Sequence, residues 1–189
     1  MVRSGAGMAN AAAATALAIE RYSPERIYNA GVCGVYADGQ DLLGTAAAGT
    51  AAVFADAGVA SHAAFLSLEA LHLPLAQTNR RAAVFNIITL SDNGVPREIA
   101  RSTFLTVAAA SGDARWAEQL KSRFAVDSTQ LICEDMESAA VGLLALKASI
   151  PCTVVRGISN QCGERDYGKW KLTEAARAAQ QVLLRCLED

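Results

Sequence analysis

Four short segments hold the residue types that could do chemistry. The first is Cys133-Glu134-Asp135-Met136-Glu137-Ser138, where three acids stand ahead of a stretch that is apolar from Ala139 to Leu146. Acids in a first helical turn complement the helix dipole and need no ligand to explain them. Glu137 differs, because Ala140, Val141 and Leu144 turn its side of the helix toward a core. A carboxylate there needs partners. The hydroxyl groups of a sugar are one set, and the guanidinium of Arg156 in an ion pair is the other. The second segment is the polar run Ser159-Asn160-Gln161-Cys162-Gly163-Glu164-Arg165-Asp166, which closes a buried strand. It reads either as a ligand-facing loop or as a solvated one with Asn160 and Gly163 as turn residues.

The third is Gly31-Val32-Cys33-Gly34, a strand end eased by glycine or a place where a flat ring can approach the backbone. Cys33 is a nucleophile by type. Neither His62 nor His72 is near it in sequence to act as a base, and a small buried thiol accounts for it. The fourth, Ser4-Gly5-Ala6-Gly7, opens a helix whose first N–H groups and dipole suit an anion. A tight turn explains it equally, since it lacks the later glycine of a dinucleotide fingerprint and any Walker lysine.

These segments need elements to position them. The spacing predicts a helix over 8–22, stopped before Pro24, then a short strand over 26–29 leading into the glycine turn. Strands follow at 46–54, 82–90 and 103–109, with an irregular segment over 57–81 between the first two. Asp113 is an N-cap for a helix reaching about Phe124. The last third reads as a strand end at 130–133, a helix over 136–148, a buried strand over 152–158 and a final helix over 173–187. Ala176, Ala179, Leu183 and Leu187 share one face of that helix. Strands alternating with helices predict a single α/β domain, residues 1–189, with a mixed, largely parallel central sheet flanked by helices. In such sheets, ligands bind beyond the carboxyl ends of strands, where three of the four segments lie.

Composition narrows the function classes. With 17 Lys+Arg against 19 Asp+Glu and no basic cluster, the chain lacks a nucleic-acid footprint. No stretch is apolar enough to span a bilayer, so no membrane partner is expected. Arg3 followed by the apolar run 11–19 has the outline of a signal peptide, but Gly5, Gly7 and Asn10 interrupt it and it ends like an ordinary helix. Five cysteines without CxxC spacing and only two histidines predict no metal site, no cofactor of that kind, and the reduced thiols of a cytoplasmic protein. Alanine makes up about a fifth of the chain, so the 52% hydrophobic share overstates the burial it can supply.

Taken in order, four stretches resemble one superfamily: Ser4-Gly5-Ala6-Gly7-Met8-Ala9-Asn10, Asn29-Ala30-Gly31-Val32-Cys33-Gly34, Asp135-Met136-Glu137-Ser138-Ala139-Ala140 and Val155-Arg156-Gly157-Ile158-Ser159-Asn160. It is the purine nucleoside phosphorylase/nucleosidase superfamily, which includes the methylthioadenosine/S-adenosylhomocysteine nucleosidases. Phe54-Ala55-Asp56-Ala57-Gly58-Val59, Thr103-Phe104-Leu105-Thr106-Val107 and Gly163-Glu164-Arg165-Asp166 make the chain most similar, within it, to the futalosine hydrolases of the futalosine route to menaquinone. The resemblance implies an N-ribosyl hydrolase that takes a small purine nucleoside, works without a cofactor and forms a homo-oligomer. It implies that Glu137 binds ribose hydroxyls, that Met136 packs on the sugar, and that Gly5, Gly7, Cys33, Gly34 and Ser159 complete the substrate site. Asn160 stands where relatives that cleave 6-aminopurines carry an aspartic acid that protonates N7. A neutral amide there suits the N7/O6 edge of a 6-oxopurine such as hypoxanthine. Asp166 is a second acid with no role to assign.

In the superfamily a first strand, an acidic loop and a further pair of strands usually precede the segment matched by Ser4. The resemblance therefore implies a sheet lacking its first strands, with an exposed edge or an opened core. That expectation keeps two other readings beside the hydrolase: a truncated, non-catalytic nucleoside-binding paralogue, and a methylthioadenosine/S-adenosylhomocysteine nucleosidase or a nucleoside phosphorylase holding phosphate at Ser4-Gly5-Ala6-Gly7.

Overall fold

Fifteen residues without an interior glycine or proline, Met8–Tyr22, form the first helix, α1. Gly7 precedes it at φ 90°, and Ser23 ends it in the left-handed region at φ 44°, one residue before Pro24. The computed structural model describes residues 1–36, 40–62, 64–77, 82–124 and 131–188. After α1 come β1 (Ile27–Val35), β2 (Ala46–Phe54), and the short strands β3 (Gly58–Ala60), β4 (Phe65–Ser67), β5 (Ala76–Gln77), β6 (Ala83–Val84) and β7 (Ile87–Thr89). Then follow β8 (Ala100–Thr106), α2 (Ala114–Ser122), β9 (Leu131–Asp135), α3 (Ser138–Lys147), β10 (Cys152–Gln161) and α4 (Leu172–Glu188).

Six strands form one mixed sheet in the order β10-β1-β9-β8-β2-β7. The longest ladders, β1–β10 and β2–β8, are parallel, as is β8–β9, while β1–β9, β2–β7 and β2–β10 are antiparallel and brief. The β2–β10 ladder joins strands four places apart in that order, so the sheet curls until β10 hydrogen-bonds to β1 on one side and β2 on the other. β1 pairs with β10 along its whole length but with β9 only at Gly34 and Val35, so over 27–33 its other edge has no partner strand among the described residues, and β7 stands at the far end of the order.

Helices pack against this curled sheet on more than one side. Residues of α1 and α3, with Val35, Phe104, Cys133, Val154 and Ile158, build the central apolar cluster. Alanines of β2, Val155 and the inner face of α4 build a second, and Val53, Leu105, Leu120 and Ile132 a third beneath α2. The alanine-rich sequence permits very close approach. A Cβ at Gly157 of β10 would lie 1.8 Å from the Ala175 carbonyl oxygen of α4, so only glycine lets this helix backbone rest on the strand.

The predicted boundaries hold for α1 and β2, and Asp113 caps α2 by accepting the Trp116 N–H at 2.8 Å. Several others move. β1 runs straight through Gly31-Val32-Cys33-Gly34, which is strand and not turn, and β10 continues through Ser159 and Asn160, which are not loop. β8 lies three residues earlier than expected, at Ala100–Thr106. Residues 82–90 break into β6 and β7 at Asn86, whose side chain accepts the Leu68 N–H and donates to the Phe54 and Ala57 carbonyls. α3 starts at Ser138, leaving Met136 and Glu137 ahead of it. The inner face of α4 is Ala175, Ala179, Val182 and Cys186, so only Ala179 of the expected face is buried and Leu187 is exposed. The expected irregular segment is partly two small hairpins, β3–β4 and β5–β6, while Ala63, residues 78–81 and Gln130 lie outside the described residues. No helix among the described residues is long and apolar enough to cross a membrane.

Candidate active site

The ends of β1, β9 and β10 converge on one cavity of about 230 Å³. Its construction follows from strand register. Ile158 of β10 pairs with Cys33 of β1, but the next pair is Asn160 with Gly34, so Ser159 is an inserted residue. Side chains alternate across a sheet, and a one-residue bulge reverses that alternation beyond it. Ile158 consequently points into the apolar core with Cys33, while Asn160 comes to the cavity face beside Gly34. On its other side, Gly34 pairs with Glu134 of β9. A Cβ at Gly34 would stand 2.9 Å from Cys162 Sγ and 3.4 Å from Asn160 Nδ2, so the missing side chain is what lets these groups share the face.

Asn160 is 9% exposed. Its Nδ2 donates to the Gln161 carbonyl at 3.0 Å, and its Oδ1 lies 2.8 Å from Ser159 Oγ. The Ser159 hydroxyl also lies 3.1 Å from the Cys33 carbonyl oxygen, and its single proton serves one of these acceptors at a time.

The acids of the first segment separate into three environments. Asp135 is buried and receives Arg156 Nε at 2.8 Å, Thr106 Oγ1 at 2.7 Å and the hydroxyl of Ser138. Glu137 is partly exposed; its Oε1 accepts the Gly7 N–H at 2.8 Å and its Oε2 is 3.6 Å from Arg156 Nη2. The ion pair with Arg156 therefore exists, and the Glu137 carboxylate still lines the cavity. Glu134 is 6% exposed, with Oε1 accepting the Ser111 N–H at 2.8 Å and Oε2 accepting the Ser111 hydroxyl at 2.6 Å and the Tyr36 phenol. Burial, reinforced by Cys162 and the Glu134 charge, pushes the Tyr36 phenol well above its ordinary range and keeps it a donor.

Cys33, Gly34, Met136, Glu137, Ser159 and Asn160, all predicted from sequence, line this one cavity. Gly5 and Gly7 do not. Gly7 reaches it only through its bond to Glu137, and Gly5 sits at φ 87° near Asn10. Burial, then the neighbouring Cys133 thiol, pushes the Cys33 thiol well above its usual range, which makes it a packed thiol and not a thiolate nucleophile. Asp166 does not line the cavity; it caps a single 3-10 turn by accepting the Gly168 N–H at 3.0 Å. Sequence reasoning missed Ser111, Arg165 and Trp170, which also line the cavity, and put Glu134 among the acids at a helix start, whereas it lies in β9. The alternation of β9 was the available signal for Glu134, whereas nothing local marks Trp170.

The lining includes a held carboxylate, an amide and a thioether. That set can bind hydroxyl groups and the polar edge of a heterocycle.

The family model of the phosphorylase superfamily matches residues 1–188. Over 189 residues the chain is 31% identical to futalosine hydrolase of Thermus thermophilus, and over 194 residues 24% identical to 5′-methylthioadenosine/S-adenosylhomocysteine nucleosidase of Bacillus subtilis. Each alignment takes in the whole chain and 80% of the relative. Among solved structures, a 5′-methylthioadenosine/S-adenosylhomocysteine nucleosidase from S. pneumoniae superposes with a TM-score of 0.77 at 20% identity, over 99% of this chain and 79% of that one. The native futalosine hydrolase of Helicobacter pylori superposes with a TM-score of 0.74 at 20% identity, over 98% and 77%. These structures share the fold.

Proposed function

This chain belongs to the phosphorylase superfamily, and from that premise we propose that it is a nucleosidase acting on futalosine or a close analogue. It hydrolyses the N-glycosidic bond and releases hypoxanthine, a step in menaquinone formation by the futalosine route. Nucleosidase activity on purine nucleosides is the broader statement, supported by the two named relatives. The observation that carries the finer one is Asn160, an amide on the cavity face where nucleosidases of 6-aminopurines use a carboxylic acid.

Such a bond breaks through an oxocarbenium-like state, as glycosidic bonds generally do. Glu137, held by Gly7 N–H and Arg156, accepts the ribose hydroxyls and stabilises the positive charge that develops on the ring. Met136 packs against the sugar. Asn160, oriented by Ser159 and the Gln161 carbonyl, hydrogen-bonds the N7/O6 edge as negative charge grows on the departing base. A 6-oxopurine is the better leaving group for a site that cannot supply a proton outright, since its carbonyl oxygen takes up much of that charge.

The direct test incubates purified protein with futalosine and follows hypoxanthine release. Turnover is expected, and it exceeds that of methylthioadenosine. Equal or faster release of adenine from methylthioadenosine overturns the futalosine assignment while leaving the nucleosidase class. Replacing the amide by an acid, Asn160→Asp, shifts the ratio of kcat/KM toward 6-aminopurine nucleosides by at least about 10-fold, well under the roughly 10²–10⁴-fold that a positioned general acid contributes. An unchanged ratio removes the reading of this position.

A further inference from the structure

The segment 162–171 joins β10 to α4 and carries a cation to which the hydrolysis proposed above gives no part. We propose that Arg165 is a specificity-determining residue that binds a carboxylate carried by the substrate beyond its purine and ribose. The inference rests on the nucleosidase activity proposed above and adds what the substrate must bear and which side chain reads it.

Both ends of the segment are tied to strands. Cys162 N–H donates to the Val35 carbonyl at 2.9 Å and Lys171 N–H to the Ser159 carbonyl at 2.8 Å. Arg165 is exposed, Trp170 is half-buried and both line the cavity, so they stand where it opens to solvent. The cavity, about 230 Å³, is smaller than the roughly 300–1,000 Å³ of ordinary small-molecule sites. A substituent on a nucleoside seated at Glu137 and Asn160 therefore extends past the enclosed part, toward that opening. Among the described lining residues Arg165 is the only cation, against the acids Glu134, Asp135 and Glu137. Those acids disfavour an anion deeper inside and confine it to the Arg165 end.

Among the described residues Arg165 forms no ion pair, although Glu164 and Asp166 flank it in sequence. Both acids are engaged elsewhere. Glu164 accepts Lys169 Nζ at 2.6 Å and the Asp166 N–H at 2.8 Å, while Asp166 accepts the Gly168 N–H at 3.0 Å. Aromatic rings place the guanidinium instead. It lies 5.4 Å from the Tyr167 ring centre and 5.3 Å from that of Trp170, and its Nη2 donates to the Tyr167 hydroxyl at 2.8 Å. Trp170 is fixed in turn by its Nε1–H, which donates to the Glu164 carbonyl at 3.1 Å. Most of the planar fork of donors thus stays open to a ligand, and stacking cuts the freedom it would lose on binding. Such a fork matches a carboxylate with two parallel hydrogen bonds, and the indole beside it suits a flat apolar group bearing that carboxylate. Futalosine has this chemistry, being inosine extended at its 5′ carbon by a chain that ends in a benzoic acid.

Initial rates with futalosine, its methyl ester and inosine, in the wild-type protein and in Arg165→Gln, test this. Wild type is expected to show a kcat/KM about 10-fold lower for the ester than for futalosine, carried in KM. That is the low end for a hydrogen bond to a charged group, because the guanidinium is exposed and screened. In Arg165→Gln the preference for the acid over the ester disappears, and in Arg165→Lys, which keeps the charge but not the fork, part of it remains. If Arg165 only stiffened its segment, Arg165→Gln would slow all three substrates together and keep the wild-type preference. The ester comparison needs no variant, so it stands if Arg165→Gln folds poorly. Failure to hydrolyse futalosine overturns the proposed substrate and this inference with it. Turnover of futalosine and its ester with equal kcat/KM, or a preference for the acid that survives in Arg165→Gln, overturns this inference alone. Inosine cleavage that depends on inorganic phosphate in the wild type and not in Arg165→Gln overturns it in favour of free phosphate at Arg165.

Discussion

Glu134 and Asp135 are consecutive residues of β9, both nearly inaccessible, yet they face opposite sides of the strand and are stabilised by different means. Asp135 shares its face with Cys133 and meets a guanidinium, so its charge is cancelled inside the protein. Glu134 lines the cavity, as Asp135 also does, and is held by the Ser111 N–H and two hydroxyls, with no cation among the described residues. Burial by itself therefore does not tell which acid has its charge cancelled by the protein. The distinction lies in whether the protein supplies the opposite charge. Glu137 stands between these cases, because it is paired yet still open to the cavity.

The largest effect that can break this comparison is expected at Arg156. Arg156→Leu leaves Asp135 buried without its cation, and urea unfolding should show a loss of about 3–5 kcal/mol. Glu134→Gln strands no charge and should lose only about 1 kcal/mol by the same measurement. Equal losses would mean that both acids serve the fold alike.

A smaller effect sharpens the apolar side. Burial pushes the Cys152 thiol up to about 12 from an ordinary 9.0, with Arg156 opposing the rise. A raised folded pKa means that the unfolded chain ionises first. The thiol's contribution to stability is complete below about pH 9 and is lost as pH climbs toward 12, by about 1.4 kcal/mol per pH unit within that window. Urea midpoints measured from pH 8 to 10 should fall above pH 9 in the wild type and fall less in Cys152→Ala. Identical slopes would contradict a buried, protonated Cys152 thiol.

Much of the site was legible because its residues are adjacent in sequence: Met136 with Glu137, Ser159 with Asn160, Cys33 with Gly34. The capping carboxylate of Asp113 and the uninterrupted helix of α1 were legible for the same local reasons. What escaped was set by partners far away. Gly31 and Gly34 look like turn residues, but they are glycine because Arg156 and Cys162 occupy the space a Cβ would need, at 2.9 Å in each case. The polar end of β10 looks like a loop because sequence does not reveal that a cavity, and not a core, lies over it. Asn86 splits a run of strand-forming residues by tying down three backbone groups of other segments. The closing β2–β10 ladder has no local signature at all.

That ladder has a consequence for how the chain is made. β10 is the last of the six strands to leave the ribosome, and it is the parallel partner of β1, the first. At about 5–20 residues per second, β1 and the start of β2 wait several seconds for the strand that completes them, with backbone N–H and C=O groups unpaired. Such long-range pairing slows folding and leaves strand edges open to wrong partners. The strand that ends this vulnerable interval also carries Ser159 and Asn160. A nascent chain that has not yet closed its sheet therefore lacks one wall of the cavity, which is complete only when the last strand is in place.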